Sequence, residues 1–534
     1  MGHGEENLVY IDEEDLTTAA STAWDVIVVG AGAVGLILSI SLARANKRVL
    51  LLESGSKDAV DAQDLNDVVL TGRAHLGAQH GRARTIGGTT TLWGGQLTRF
   101  IPYDFDARQI MADCSWPIHF EDIEGFYAEV AGMLDLDVRY LTDSSVQAVI
   151  EADNKAEEAG CEIFFTRWLR ESNLARHFST DLQSLPTLAV VPSCHAREIL
   201  CESEGSSMSG VKAMSGAGRS IEFRAREVVL ANGTIEISRL LLLTARKSPQ
   251  APWANNSNVG RYFQDHLDVV IGQIELKDKK AFSNIFENMV IEGHKYQPKI
   301  RMRTSVLRAL GCLNIACSVR FDSSVSEDLQ MLKKFVRSLL NGSRIDRPWK
   351  TLRRVLSLGH LWLPLIWRYV RHRRILAMAD RSISVIAHCE QRPLADSRIT
   401  LDPHRTDRFG DPIARLHWLV DEPLQLESLQ RFVDQLRGFF ARVCDAKFAV
   451  APALLSGLSA ALSEATDSYH QCGGSRMGLS EADGVVDSNS RVFGTSNLYV
   501  AGAAVFPSSS FANPTYTAMA LARRLSKHLI AVGQ

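Results

Sequence analysis

The chain of 534 residues has no run of about 18 apolar residues, so no segment reads as a membrane-spanning helix. Its first 22 residues carry Glu5, Glu6, Asp12, Glu13, Glu14 and Asp15, with no basic stretch leading into an apolar one, so no secretory signal is expected. It has no CxxC pair. The nine cysteines are scattered, and even the closest two, Cys312 and Cys317, are wrongly spaced for one. An odd, dispersed set reads as free thiols in a reducing compartment. A net charge of −2 leaves no excess positive charge for a nucleic-acid binder. Internal repeats, low-complexity tracts and sequence-local metal-ligand clusters are also absent. A soluble, cytoplasmic protein is the expectation.

What remains is an ordinary globular balance, 46% apolar and 22% charged, at a length that exceeds what one core usually serves. The first informative stretch is Trp24-Asp25-Val26-Ile27-Val28-Val29, a short β-branched run that reads as a buried parallel strand. Gly30-Ala31-Gly32-Ala33-Val34-Gly35 follows and opens a helix to Ala45. A second strand, Arg48 to Leu52, ends in Glu53. Gly30 suits a tight turn, Gly32 lets backbone approach a pyrophosphate, and Gly35 lets the helix pack on the strand. The free N–H groups of the helix N-terminus favour an anion there. Glu53 can accept ribose hydroxyls and argues against a 2′-phosphate, which leaves FAD or NAD. Leu188–Val191, a hairpin over 210–223, and the strand Arg224–Leu230 closing on Gly233 before a helix (235–244) suggest a sequence-distant strand returning to the nucleotide sheet. That arrangement fits FAD better than NAD.

Two C-terminal motifs carry chemistry. The first is Tyr469-His470-Gln471-Cys472-Gly473-Gly474-Ser475-Arg476-Met477-Gly478 and the second Phe511-Ala512-Asn513-Pro514-Thr515-Tyr516-Thr517. Pro514 is placed for the first turn of a helix that continues through Lys527. The positive end of that helix would lie beside Asn513.

Taken in order, Trp24–Gly55, Gly87–Phe105, Arg224–Leu243, Asn258–His266 and His470–Leu529 resemble the glucose–methanol–choline (GMC) family of FAD-dependent oxidoreductases. The resemblance leans toward the pyranose-oxidase-like branch. It implies an α/β fold (α+β overall), with a Rossmann-like FAD-binding domain and a substrate domain built on a mostly antiparallel sheet. It implies His470 as general base and Asn513 as its hydrogen-bonding partner in oxidising a CH–OH group by hydride transfer to flavin N5. Cofactor contacts are expected from Gly30, Gly32, Ala33, Gly35, Glu53, Gly87, Gly88, Thr89, Trp93, Gly94, Ala196, Gly233, Gly502, Ala503, Pro514 and Thr515, and a metal is not. Leu92 stands where the branch's covalently bonded histidine would be, so the FAD is expected to be non-covalent. Gly502 replaces an Asp common in the family, which leaves the contacts there open. The implied substrate is a small-molecule alcohol, sugar or glycoside, with oxygen or a quinone-like group as electron acceptor. Small, aryl or sterol alcohols, a non-redox lyase of the same fold, and a non-catalytic flavin binder remain alternatives.

The expected organisation is an acidic extension over 1–22; an FAD-binding domain over 23–110, 185–265 and 465–534; and a substrate domain over 111–184 and 266–464. Strands are predicted at 266–276, 313–321, 382–390 and 413–420, and a helix at 121–134. Glu390 could face substrate, but a salt bridge to Arg398 or Arg392 is the preferred reading. A basic helical insert spans 330–378. Within it, Lys333–Arg374 holds twelve Lys/Arg and one acid, Asp346, interleaved with aromatics. Two or three helices are predicted there, broken at Gly342 and Pro348 and kinked at Pro364. Its composition suits an ordinary solvated face, peripheral contact with an anionic inner-membrane surface, or a lipid-linked substrate.

Overall fold

The run Trp24–Val29 lies at the middle of a parallel sheet, buried except at Asp25. It pairs with Val49–Leu52 on one side and with Ser220–Leu230 on the other. Leu188–Val191 extends the sheet beyond Val49–Leu52, and Leu498–Val500 pairs in parallel with the end of Ser220–Leu230. The computed structural model describes residues 10–57, 62–112, 114–140, 142–150, 160–202, 205–324, 349, 353, 359–377, 381–456 and 458–532. The predicted breaks at Gly342 and Pro348 fall outside these residues, whereas the helix Gly359–His372 runs through Pro364.

Ser220–Leu230 serves two neighbours. Its first half closes an antiparallel hairpin with Met208–Ser215, and its second half lies in the nucleotide sheet. The burial pattern follows: alternation at its start, where one face is wet, and Val228, Val229 and Leu230 fully enclosed at its end. The helices Ala33–Arg44 and Pro514–Val532 pack on each other, with Glu121–Met133 against the latter. Glu121–Met133 thus shares a core with the nucleotide sheet, although it lies within the range expected to form the substrate domain. The acidic N-terminal segment is also docked. Ile11 N–H bonds Val190 O at 2.9 Å, and Glu13 pairs with Arg219.

A nine-stranded sheet forms the second layer. Its main path runs Ala446–Val450, Leu267–Leu276, Ser382–Cys389, Ile315–Asp322, His294–Met302, Cys161–Trp168 and Gln96–Leu97, with antiparallel pairing throughout. It carries a separate apolar core, built with the long helix Glu422–Val443. A three-stranded sheet of Arg398–Thr406, Pro412–Trp418 and Val68–Gly72 completes the fold. All nine cysteines are free thiols.

Close backbone approach at the first turn leaves no room for side chains. Gly30 has φ +103°, and a Cβ on Gly35 would sit 1.9 Å from Gly30 O. Gly125 is different: it is exposed in the helix Glu121–Met133, and a Cβ there would meet nothing within 4 Å. Gly35→Ala is therefore expected to lose about 2 kcal/mol or more. Gly125→Ala should gain about 0.5–1 kcal/mol. Urea unfolding of the two variants checks both signs, and equal effects would refute this account.

Candidate active site

The parallel strands end at Val29, Leu52 and Leu230, and a cleft opens beyond their carboxyl ends, where open α/β sheets bind ligands. Of the expected cofactor contacts, Gly30, Gly32, Ala33, Glu53, Gly88, Thr89, Trp93, Ala196, Gly233, Gly502, Ala503, Pro514 and Thr515 line it. Gly35, Gly87 and Gly94 do not. Gly35 is spent on the helix–strand contact. A Cβ on Gly87 would meet Asn173 and Ala175, and one on Gly94 the Trp168 ring. These three glycines serve packing behind the cleft wall.

The nucleotide end has the features a dinucleotide needs. A Cβ on Gly32 or Gly233 would meet no protein atom within 4 Å, so both open directly into the cleft. The helix Ala33–Arg44 starts there and presents its free N–H groups. Glu53 is buried, with Oε2 accepting from Ala31 N–H at 2.9 Å and Oε1 from Gly55 N–H at 2.9 Å. Burial pushes its carboxyl upward, against the lowering effect of those N–H groups. The remaining lone pairs of this carboxylate suit sugar hydroxyls.

Sequence reasoning missed the cationic part of this wall. Arg82, Arg84, Glu236 and Arg239 all line it. Arg82 donates to Glu236 at 2.9 Å, and Arg239 reaches Asp407 at 2.5 Å. Burial works to raise the Glu236 carboxyl, but Arg84, Arg239 and Arg82 hold it below the usual range. His195 beside them is pushed down to about 3 by burial and by Arg84, so it is neutral there. Arg82, Arg84 and Arg239 bring guanidinium donors to this wall, the groups that hold a pyrophosphate. The pair Arg82 and Arg84, just ahead of the Gly87–Gly88 turn, was the visible signal.

At the other end, two remote segments run side by side. Cys472 N–H bonds Gln264 O at 2.8 Å, and Gln264 N–H bonds Cys472 O at 3.0 Å. This pairing sets the imidazoles of His266 and His470 against each other, Nδ1 to Nδ1 at 3.0 Å. Asn513 Nδ2–H meets His470 Nε2 at 2.9 Å, and Thr98 Oγ lies 3.4 Å from Asn513 Oδ1. His470 lines the cleft; Asn513 does not, and joins the site through His470.

The proton positions follow from one carbonyl. Ser509 O, 3.3 Å from His266 Nε2, can only accept, so His266 carries its proton on Nε2. Burial pushes His266 down and keeps it neutral, leaving Nδ1 as an acceptor. His470 must then donate through Nδ1, which leaves the lone pair of Nε2 facing Asn513. Burial, aided by His266, pushes His470 down to about 3, so Nε2 stays unprotonated over the physiological range and accepts from Asn513.

Both arms are held by strained backbone. Tyr469, φ +63°, precedes His470, and Ser510, φ +53°, stands three residues before Asn513. Gly77 and Gly81 make room for the Tyr469 ring: a Cβ on Gly77 would lie 2.4 Å from it. Asp265 Oδ1 accepts from His266 N–H at 2.7 Å and His470 N–H at 2.9 Å. Its Oδ2 lies 3.0 Å from His75 Nε2, bent away from ideal hydrogen-bond geometry.

His75, Asp265 and Asp467 offer ligand atoms within 4.8 Å of one another, a grouping invisible in a sequence where they stand far apart. Backbone donors engage them: Ala78 N–H on His75, and Leu76 and Gly77 N–H on Asp467. The cluster clamps the segments that carry the two histidines.

Glu390 is fully buried, and neither expected partner reaches it. Arg108 grips both its oxygens at 2.6 and 2.7 Å, while Arg392 pairs with Asp421. The preference for a neighbouring arginine was wrong because the strand carries Glu390 inward, where a residue 282 positions away meets it. Glu390 also accepts from Ser510 N–H at 3.2 Å, which ties it to the turn before Asn513. Burial and Glu390 together push Asp104 up to about 6.

Leu92 is 55% exposed and does not line the cleft. Its loop contributes Gly88, Thr89, Thr90 and Trp93 to the wall, so no nucleophilic imidazole comes from it.

Residues 393–522 match the family model described as GMC oxidoreductase. The chain is 30% identical over 118 residues to paromamine 6'-oxidase of Streptomyces fradiae and 29% over 123 residues to 6'''-hydroxyparomomycin C oxidase of Streptomyces lividus. Each match covers 20% of this chain and 22% of the relative, about a fifth of those proteins' length. A match of 22% identity spans 96% of this chain and 96% of 2-methyl-1,2-propanediol dehydrogenase of Mycolicibacterium austroafricanum. Among solved structures, pyridoxine 4-oxidase from Mesorbium loti has TM-score 0.59 at 17% identity, covering 95% of this chain and 99% of that one. The R554K variant of formate oxidase from Aspergillus oryzae RIB40 has TM-score 0.56 at 17% identity, covering 96% and 99%. At such identities the structural likeness shows the fold alone.

Glu390→Gln would leave the Arg108 guanidinium buried without its full counter-charge. A loss of about 3 kcal/mol or more is expected in urea unfolding. A change within about 0.5 kcal/mol, the range of an exposed ion pair, would refute the clamp.

Proposed function

We propose that this protein, a GMC oxidoreductase by the match of residues 393–522, binds FAD and oxidises a CH–OH group of a small alcohol or sugar-like molecule. One observation carries the reading. His470 Nε2 and Asn513 Nδ2 meet at 2.9 Å at one end of a cleft whose other end holds the glycine turn and Glu53. The open Gly32 and Gly233, the helix N-terminus and the arginine wall fit a flavin dinucleotide. FAD, when bound, supplies the acceptor for the hydride.

The chain's own groups supply the rest. The substrate O–H approaches His470 from the cleft and takes the place of the Asn513 Nδ2–H at Nε2, the contact that is 2.9 Å in this structure. It donates to His470 Nε2, and Asn513 Nδ2–H donates to the substrate oxygen as negative charge develops. The His470 Nδ1–H stays on His266, which holds the ring in the tautomer this transfer needs. The N-terminus of the helix Pro514–Val532 faces the cleft through Pro514 and Thr515 and favours negative charge nearby. Trp93 and Tyr469, also in the lining, form apolar wall around the reacting carbon.

The FAD is non-covalent on this reading, because the Gly87–Gln96 loop offers no imidazole or thiol to the cleft. The names of the relatives support alcohol oxidation, on paromamine, 6'''-hydroxyparomomycin C and a propanediol. Oxygen or a quinone-like acceptor completes the cycle. Anaerobic bleaching of the bound flavin by a panel of sugars, aminoglycosides and diols tests the reading. Failure of every CH–OH compound to bleach it would overturn the assignment.

His470→Ala should retain FAD but lower the rate of flavin reduction by about 10² or more. Because the wild-type imidazole is pushed down to about 3, the protonated, inactive form is not populated near neutrality. The wild-type reduction rate should therefore show no acid limb around pH 6.5; a limb there that vanishes in the variant would contradict the buried, neutral base. Acid precipitation should release the yellow colour to the supernatant, and a coloured pellet would exclude dissociable FAD.

A further inference from the structure

The helix Gly359–His372 turns an apolar stripe outward. Leu363, Ile366, Trp367 and Val370 fall at i, i+3, i+4 and i+7, the spacing that normally marks a core-facing side. Here they are 59%, 51%, 67% and 65% exposed. The helix is anchored nonetheless. Arg368 bonds Glu287 at 2.8 Å and Asn284 at 2.7 Å. The residues just beyond are tied by Val290 N–H to Arg373 O and Ile375 N–H to Asn288 O, each 2.8 Å. A fixed helix with its apolar side in water is a binding surface rather than a frayed segment.

Its charge says what it meets. Residues 359–377 include Arg368, Arg371, Arg373 and Arg374 and no acid. Arg371, His372 and Arg373 are exposed along the end of the stripe. An open groove lies beside them, walled by Arg170, His372, Arg373 and Arg374, with Glu292 as the acid in its lining.

We propose that this helix docks the protein on an anionic lipid bilayer. Leu363, Ile366, Trp367 and Val370 enter the boundary between headgroups and acyl chains, and Arg371 and Arg373 meet lipid phosphates. A second copy of the chain fits less well. A two-fold contact through the stripe would bring Arg371 and Arg373 toward their own copies, with no acid in 359–377 to answer them. The docking does not rest on the oxidoreductase reading, since no residue of 359–377 lines the cleft.

Flotation of the full-length, FAD-loaded protein tests it, with phosphatidylglycerol–phosphatidylcholine vesicles against pure phosphatidylcholine vesicles at low and high salt. Each basic residue at such a surface contributes about fivefold in affinity. Arg371→Glu/Arg373→Glu should therefore weaken binding by about tenfold or more, and Trp367→Glu should abolish insertion. Flavin content and melting temperature, measured in parallel, should stay at wild-type values in both variants. Salt-sensitive flotation on anionic vesicles, lost in both variants, supports the proposal. It is overturned by absence of binding at low salt, by equal binding to neutral vesicles, by variants that bind like wild type, or by a dimer that Trp367→Glu splits while wild type ignores vesicles.

Discussion

The buried carboxylate of Asp265 is the fixed point of the His470 end of the cleft. One oxygen holds the backbone N–H groups of His266 and His470 together, although those residues are 204 positions apart. Burial would raise this carboxyl, yet it lies below its usual value, with His75 the first of the lowering influences and two backbone N–H groups donating to Oδ1. A buried charge persists only where such donors surround it. With the two backbones pinned, the imidazoles have one distance and one proton arrangement open to them.

The two ends of the cleft are built on different principles. At the nucleotide end the ligand space comes from omission: glycines leave backbone N–H groups uncovered, and a helix N-terminus supplies positive potential. At the His470 end it comes from constraint. Left-handed Tyr469 and Ser510, the Arg108–Glu390 pair and the Asp265 cluster hold side chains that a relaxed loop would let turn away. Glu390 reaches Ser510, and Ser509 sets the tautomer of His266, so the short turn before Asn513 carries strain, an ion-pair anchor and proton direction at once.

The local elements were legible to the extent that their signals are local. The β-branched run to Val29, the glycine turn, and the strands near 267–276, 315–322, 382–389 and 412–418 follow from periodicity and turn residues. The range of Glu121–Met133 was legible too, but its membership of the nucleotide core was not, because the apolar face of a helix does not name its partner. Glu390 shows the same limit: a charged residue in an apolar strand signals a buried ion pair, while its partner is chosen by the path of the chain. Gly87 and Gly94 show the converse, since glycine marks close approach without saying whether ligand or protein approaches. Leu92 belongs to a loop that reaches the cleft, yet its own side chain points to solvent.

By itself, the sequence determined the presence of a glycine turn between strand and helix, the acid that follows it, and two C-terminal motifs with an imidazole and an amide. These depend on neighbouring residues and so on short-range geometry. Tertiary structure alone decided that His266 stands behind His470, that Arg82, Arg84 and Arg239 meet on one wall of the cleft, and that the stripe on Gly359–His372 faces water. Each of these is a relation between residues brought together by packing. Pairing of remote strands and burial of charge set such relations, and neither is written in any single stretch of chain.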